Sequence, residues 1–258
     1  MTKNLITILM VMALVSCTNV SDGNNDYLSC EQLLDTTGLK LYPFVPFTDE
    51  EWISLPGEIK VERRQIPEDF LREMTTKELF YQVVYTDLSK SMGLFNTMQQ
   101  GFEAVTQQLN MFPELLNRPD AGQVLLEFLQ KVDPSKIDGL DCFWWDHCLQ
   151  IILAQKEIIN RMSDEDINQY IHQQLRCHET IRSLSKTNKN FEYPASAAIL
   201  LFGLGNVLIR HEFEPFLQLL EMHGRHPFTN ELIWDTQHIS ERDALQIIEY
   251  VKQIKNKK

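Results

Sequence analysis

The chain contains few glycines and prolines, ten of each among 258 residues, and fewer basic than acidic side chains. So few turn-forming residues argue against a β-sandwich or a β-barrel, in which tight turns follow every short strand. The 24 lysines and arginines face 36 acidic residues, for a formal net charge of −12. Because nucleic acid binding requires a concentrated basic face, we predict no nucleic acid partner.

Sequence motifs of the common catalytic sites are also missing. The chain has no H-E-x-x-H, no G-x-S-x-G and no C-x-x-C. These absences exclude the usual patterns of zinc proteases, serine hydrolases and dithiol redox enzymes. We therefore assign no catalytic residue and predict no cofactor.

The first 16 residues have the organisation of a lipoprotein signal peptide. Lys3 gives a positive start, and an apolar run follows from Leu5 to Val15. This run is about half of the ~20 residues that a membrane-spanning helix needs, and it suits a secretory signal. It ends in Leu14-Val15-Ser16-Cys17, the kind of sequence that a lipoprotein signal peptidase cleaves. We predict lipidation of Cys17; the alternative is an ordinary apolar leader followed by a cysteine by chance.

The predicted lipid would hold the protein on a membrane without a spanning helix. Each buried CH₂ group contributes about 0.8 kcal/mol, so two or three acyl chains anchor a protein firmly. Residues 17–29 then form a polar, lipidated tether and residues 30–258 a single helical domain. The apolar segment 195–209 is too short and too rich in glycine to span a bilayer, and it predicts a buried helix. We expect a membrane-anchored protein on the periplasmic or cell-surface side of a bacterial envelope.

Helical patterns dominate the remainder of the chain. Residues 39–60 instead interleave prolines with aromatic residues, which predicts an extended N-terminal arm with one short helical turn after Thr48. Helix-start signals recur after the arm, at Pro67, at Thr75 with Glu78, at Ser163 and at Ser240. The predicted class is all-α. We expect an irregular α-α superhelix or helical stack of about nine helices, with a globin-like or bundle packing as the alternative.

Four cysteines remain besides the predicted lipidation site, and an even number in an exported chain indicates disulfides. Cys148 and Cys177 are equally far along the sequence from a predicted turn at Met162 and Ser163, between two long helices. Residues equidistant from the turn of an antiparallel helix pair lie at the same height. We therefore predict a disulfide between Cys148 and Cys177.

Cys30 and Cys142 form the remaining combination, for which the sequence supplies no separate argument. Zinc is an alternative use of this region, where His147 and His178 each lie next to a cysteine. Neighbouring side chains on a helix point about 100° apart, however, so such pairs rarely converge on one ion. We assign no metal ligand here.

Four sequence segments resemble a group of uncharacterised, exported, all-helical proteins of Bacteroides-type gut bacteria. The segments are Ile66-Pro67-Glu68, Met74-Thr75-Thr76-Lys77-Glu78-Leu79, Gln99-Gln100-Gly101-Phe102-Glu103-Ala104 and Glu114-Leu115-Leu116-Asn117-Arg118-Pro119-Asp120-Ala121. The resemblance covers about residues 50–135. It implies a helical fold and an envelope location, and it implies no activity.

Two functions follow as hypotheses. The first is a lipid-anchored, non-enzymatic interaction or scaffold module that binds an envelope protein or peptide, because helices are abundant and catalytic motifs are missing. The alternative is an envelope hydrolase for glycan or peptide, or a metal-dependent enzyme. It would use the histidines near the C-terminus, which are His211, His223, His226 and His238.

Overall fold

A computed structural model describes residues 27–95, 97–187, 197–223 and 240–255. The first seven α-helices are α1 (Cys30–Leu34), α2 (Asp49–Ser54), α3 (Gly57–Glu62), α4 (Glu68–Glu73), α5 (Thr76–Tyr85), α6 (Met98–Gln108) and α7 (Met111–Asn117). The other seven are α8 (Ala121–Lys131), α9 (Leu140–Leu153), α10 (Lys156–Ile159), α11 (Asp164–Thr187), α12 (Ala198–Arg210), α13 (Glu214–His223) and α14 (Glu241–Lys255). Two 3-10 helices lie at Asp87–Leu94 and Pro134–Lys136.

The all-α class is confirmed, since these described ranges hold helices and no β-strand. Their helix count exceeds the predicted nine because several helices have only one or two turns, too few for a periodic pattern to stand out. The superhelical arrangement stays a prediction. No helix within the described ranges is long and apolar enough to cross a membrane.

Helix starts lie where the polar signals predict them. The Thr48 hydroxyl accepts a hydrogen bond from the Glu51 amide at 3.1 Å, and the Glu51 carboxylate accepts one from the Thr48 amide at 3.1 Å. The Thr75 and Glu78 pair forms the same reciprocal box at the start of α5. Such caps satisfy amide groups that have no partner inside the helix. Local sequence therefore determines where these helices begin.

Of the two long helices predicted on either side of Met162 and Ser163, the first is divided into α9 and α10 by contacts from elsewhere in the fold. Asn206 of α12 donates its side-chain amide to the Ala154 carbonyl at 2.8 Å. The Gln155 side chain donates to the Ile151 carbonyl at 2.9 Å while its backbone is extended. Carbonyl groups that a longer helix would satisfy have these partners instead, so tertiary contacts end α9.

An aromatic cluster joins α5, α8 and α9. The Trp145 ring centroid lies 5.2 Å from that of Phe80 and 5.7 Å from that of Phe128, and Tyr81 lies beside all three. All four rings are buried. Edge-to-face pairs add about 0.5–1.5 kcal/mol each beyond the burial of apolar area. The cluster forms the centre of the core around which the neighbouring helices pack.

Helix α12 is the buried helix that the apolar segment predicts. Every residue from Leu200 to Leu208 is buried. At Gly203 the helix approaches α11 so closely that an added Cβ would overlap the Tyr170 hydroxyl. Packing therefore favours glycine at this position.

Candidate functional site

Within the residues that the structure describes, a disulfide joins Cys30 to Cys142. Their Cα atoms lie 5.7 Å apart, which is within the usual range for a bridge. Cys30 begins α1, and α1 packs against α9, in which Cys142 is the third residue. The bond therefore fastens the start of the described chain to the start of α9, across a sequence separation of 112 residues.

The predicted bridge between Cys148 and Cys177 is wrong, because both residues are buried free cysteines. Their heights do match, since Gln174 of α11 donates to Gln150 of α9 at 2.9 Å. Both helices pack mainly against α8 and α12 rather than against each other. Long glutamine side chains span the separation that results, whereas a disulfide requires Cα atoms within about 7 Å.

Burial makes these two thiols unreactive. It raises the pKa of Cys177 to about 12, and it raises the pKa of Cys148 further still. Cysteine acts as a nucleophile or a metal ligand in its thiolate form, and the thiolate is scarce at neutral pH when the pKa is this high. Cys148 and Cys177 thus act as small apolar core residues.

A polar seam runs between α9 and α11. We define the polar seam as Asp146 and Gln150 on α9 with Tyr170, Gln174 and His178 on α11, at four-residue spacing on each helix. Asp146 is partly exposed, but its Oδ1 atom is buried, as is the Tyr170 hydroxyl. Burial raises the pKa of Asp146 to about 7, and burial lowers the pKa of His178. Burial thus favours the uncharged form of both groups, which is the protonated carboxyl of Asp146 and the neutral imidazole of His178.

Metal binding by the histidine-rich C-terminal region is not supported by the residues that the structure describes. No group of three or more histidine, cysteine, aspartate or glutamate side chains there is placed to hold a metal ion. His226 and His238 lie outside the described residues, as do Cys17 and the predicted signal peptide. The enzymatic alternative and the lipidation of Cys17 both stay predictions.

The predicted arm of residues 39–60 is extended only over residues 39–48, because α2 and α3 occupy most of the remainder where one helical turn was expected. We keep the name N-terminal arm for residues 39–48, which lie along α5. Its backbone amide at Lys40 donates to the Glu78 carboxylate at 2.7 Å, and that at Tyr42 donates to the Gln82 side chain at 2.7 Å. The Tyr42 ring also packs against Phe70 at 5.3 Å between centroids. An extended segment must find partners for its backbone amides outside itself, and side chains of α5 supply them.

Arg64 holds the far end of the arm. Its side chain is only 1% exposed, and its guanidinium carbon lies 4.0 Å from the centroid of the Phe47 ring. The same guanidinium donates to the Val45 carbonyl at 2.9 Å. Buried arginine is costly unless its donors and its charge are matched, and here a carbonyl and an aromatic face contribute to that match. These contacts fix the backbone of the arm.

Four apolar side chains of the arm and of the two helices after it point into solvent. We call them the arm surface, and they are Val45, Trp52, Ile53 and Ile59. Val45 is 75% exposed and Ile53 is 83% exposed. Isolated exposed apolar residues are common, and here four of them fall within fifteen residues of chain, which makes this segment a candidate contact surface. Acidic residues lie next to it in the first turn of α2, at Asp49, Glu50 and Glu51.

A second surface feature is an open groove between α11 and α14. We call it the basic groove; it has a volume of ≈ 440 Å³ and is lined by His172, Leu175, Arg176, Glu179, Lys252 and Lys255. Three of these side chains are lysine or arginine, on a chain whose net charge is −12. Arg176 also donates to the Val132 carbonyl at 3.0 Å, which fixes its position at the groove wall. The groove thus presents positive charge locally on an acidic protein.

Sequence reasoning did not find the basic groove, because its two walls come from helices far apart in the chain. His172, Arg176 and Glu179 follow one another at the spacing of one helical face, and Lys252 and Lys255 do so on α14. The lysines alone indicate only a helix C-terminus. Only the packing of α11 beside α14 brings the two sets together.

No protein-family model, curated protein or solved structure matches this chain.

Proposed function

We propose that this protein is a lipid-anchored, non-enzymatic interaction domain of the bacterial cell envelope. In this proposal, Cys17 carries the lipid and the helical domain binds another envelope protein through the arm surface. The proposal rests mainly on the exposure of Val45, whose carbonyl Arg64 binds, and of Ile53 on α2, where Trp52 packs against Phe47 of the arm at 5.7 Å between ring centroids. A fixed apolar surface loses little conformational entropy on binding, which favours partner recognition.

The disulfide supports the proposed location outside the cytoplasm. Disulfides such as Cys30–Cys142 form and persist in oxidising compartments and are rare where thiols are kept reduced. Export through the predicted signal peptide would bring the chain into such a compartment. The resemblance to exported helical proteins over residues 50–135 is consistent with the same location and stays a prediction.

The chemistry of the arm surface indicates the kind of partner. Exposed Ile53 and Trp52 offer apolar contact, and Asp49 and Glu50 in the first turn of α2 add negative charge beside them. Glu51 forms an exposed ion pair of 3.1 Å with Arg63, and because such pairs are weak, Asp49, Glu50 and Glu51 all contribute negative charge here. A complementary partner segment has apolar side chains flanked by lysine or arginine.

Site-specific photo-cross-linking in cells tests this function. A photoreactive amino acid replaces Ile53 in one variant and Leu94, another exposed apolar residue at 71%, in a matched control. We expect one discrete adduct with another envelope protein from position 53 and none from position 94. Equal adducts at both positions, or no adduct from position 53, would contradict the proposal.

The role of charge is tested by a second pair of variants. Asp49→Lys with Glu50→Lys should reduce the position-53 adduct severalfold, because the acidic flank then repels a basic partner. Glu68→Lys with Asp69→Lys is the control, since it changes the same charge in the first turn of α4. An unchanged adduct in the first variant would remove the basic partner from the proposal.

Lipid anchoring is tested separately. Cys17→Ala, in a chain whose residues 1–16 are replaced by a signal peptide that is cleaved without lipidation, should move the protein from the detergent phase to the aqueous phase of a membrane extract. The mass of the natural N-terminal peptide should include acyl chains. A mutant chain that still partitions with detergent, or a mature peptide without acyl groups, would show that Cys17 is not the anchor.

A further inference from the structure

The described chain begins at the edge of the basic groove. Tyr27 is its first residue, and the guanidinium carbon of Arg176, a groove residue, lies 4.5 Å from the centre of the Tyr27 ring. Lys136 lies over the same ring at 5.7 Å, and the Leu28 amide donates to the Lys131 carbonyl at 3.0 Å. These contacts place the N-terminal end of the domain next to its basic surface.

This position matters because ten residues connect Tyr27 to Cys17. Even fully extended, ten residues span at most about 35 Å. A lipid on Cys17 would therefore keep the basic groove close to the bilayer, at an effective concentration in the millimolar range. Headgroup contacts that are weak for a free protein are then sufficient to orient a tethered one.

The charges around the groove fit an anionic surface. Lys136, Arg176, Lys252 and Lys255 lie on this face, and Lys257 and Lys258 follow in the sequence. The pairs Lys136–Asp133 and Lys252–Glu249 are ion pairs of 3.5 Å and 2.9 Å whose lysine side chains are about half exposed or more. Exposed pairs of this kind are weak and exchange readily, so both lysines stay free to contact phosphates. Glu179 is the acidic residue within the groove itself.

We infer that the basic groove docks on anionic phospholipid headgroups of the membrane that holds the Cys17 lipid. The inference rests on the proposed anchoring for its function in cells, but the contact itself depends only on the groove. Docking through α11 and α14 would fix the orientation of the domain on the bilayer. The arm surface would then be presented in a defined direction.

Vesicle binding by residues 17–258 with Cys17→Ala, which carry neither a lipid nor the apolar leader, tests the groove without any contribution from the anchor. We expect cosedimentation with vesicles of phosphatidylcholine containing 30% phosphatidylglycerol, no binding to pure phosphatidylcholine, and loss of binding at 0.5 M NaCl. Each lysine near an anionic surface contributes about fivefold in affinity. Lys252→Gln with Lys255→Gln should therefore weaken binding roughly 25-fold.

Two further variants make the test specific to this surface. Lys60→Gln with Lys90→Gln makes the same charge change elsewhere and should leave binding within about twofold, whereas Glu179→Gln should strengthen it about fivefold. Equal losses from both lysine pairs, or no preference for phosphatidylglycerol, would overturn the inference. Displacement by 10 mM inorganic phosphate at constant ionic strength would also overturn it, because the groove would then hold free anions rather than a bilayer.

A chain too weakly bound to sediment is tested in tethered form, by coupling the Cys17 thiol of the mature chain to a maleimide lipid. Acetylation of Lys252 and Lys255 should then fall severalfold on phosphatidylglycerol vesicles compared with neutral ones, while that of Lys60 stays constant. Equal acetylation on both vesicles refutes docking. Neither the free chain nor the maleimide-coupled chain depends on natural lipidation. A failure of the anchoring proposal would therefore appear only in the phase-partition experiment and not in these vesicle assays.

Discussion

Loss of the Cys30–Cys142 disulfide is expected to destabilise the fold by about 5 kcal/mol. The bond closes a loop across a sequence separation of 112 residues. In the chain-entropy model such a crosslink removes about 16 cal/mol/K from the unfolded chain, which is about 5 kcal/mol at 25 °C. For a protein of this size, that loss corresponds to a fall of roughly 10–20 °C in Tm. A single-domain protein commonly has only 5–15 kcal/mol of stability, so the reduced protein would be marginal.

The assay is urea unfolding followed by far-ultraviolet circular dichroism, with and without a reducing agent. Wild type should show a large shift in midpoint on reduction, and Cys30→Ala with Cys142→Ala should show none. Cys148→Ala with Cys177→Ala is the matched control, because both cysteines are free and buried. It should lose stability through the cavities that it creates and still respond to reduction as wild type does.

Two results would refute this reasoning. One is a wild-type midpoint that does not change on reduction, although peptide mapping shows the bond to be broken. The other is a non-reduced peptide map that links Cys148 to Cys177, since the bridge would then be the one expected from helix heights alone.

Two other predictions concern the interior. Gly203→Ala should lower the free energy of unfolding by about 1–3 kcal/mol, because the new Cβ overlaps the Tyr170 hydroxyl. Adding Tyr170→Phe should recover much of that loss in thermal unfolding. Gly57→Ala is the control and should be neutral or slightly stabilising, because its new Cβ meets open space. Absence of recovery would place the strain elsewhere. Asp146 has a folded-state pKa raised to about 7, so its contribution to stability falls as pH rises from about 4 to 7. Relative to Asp146→Asn, wild type should lose roughly 2 kcal/mol of unfolding free energy between pH 5 and pH 8, a figure already reduced because Asp146 is partly exposed. A difference in unfolding free energy between the two proteins that stays constant with pH would show that this carboxyl titrates normally.

Local signals were reliable wherever the chain interacts with itself over a few residues. The capping boxes at Thr48 and Thr75 begin helices as expected, because their partners lie three residues away. The apolar segment that became α12 is buried as expected, since its composition leaves no polar face. The break at Ala154 was missed because the amide that ends α9 belongs to Asn206, 52 residues away.

The cysteines show the same division. Sequence spacing correctly indicated that Cys148 and Cys177 lie at one height, because helix rise per residue is constant. It carried no information on the distance between the helix axes, which the packing of α8 and α12 determines. The pairing of Cys30 with Cys142 likewise depends on α1 docking against α9.

By itself, the sequence determined the all-α class, the helix starts and the burial of α12, and it predicted export and lipidation at Cys17. Each of these depends on residues close together in the chain, through caps, periodicity and composition. Tertiary structure alone decided the disulfide, the polar seam, the exposure of the arm surface and the basic groove. Those features require side chains from distant segments to meet, and that is set by how the helices pack, which local sequence does not encode.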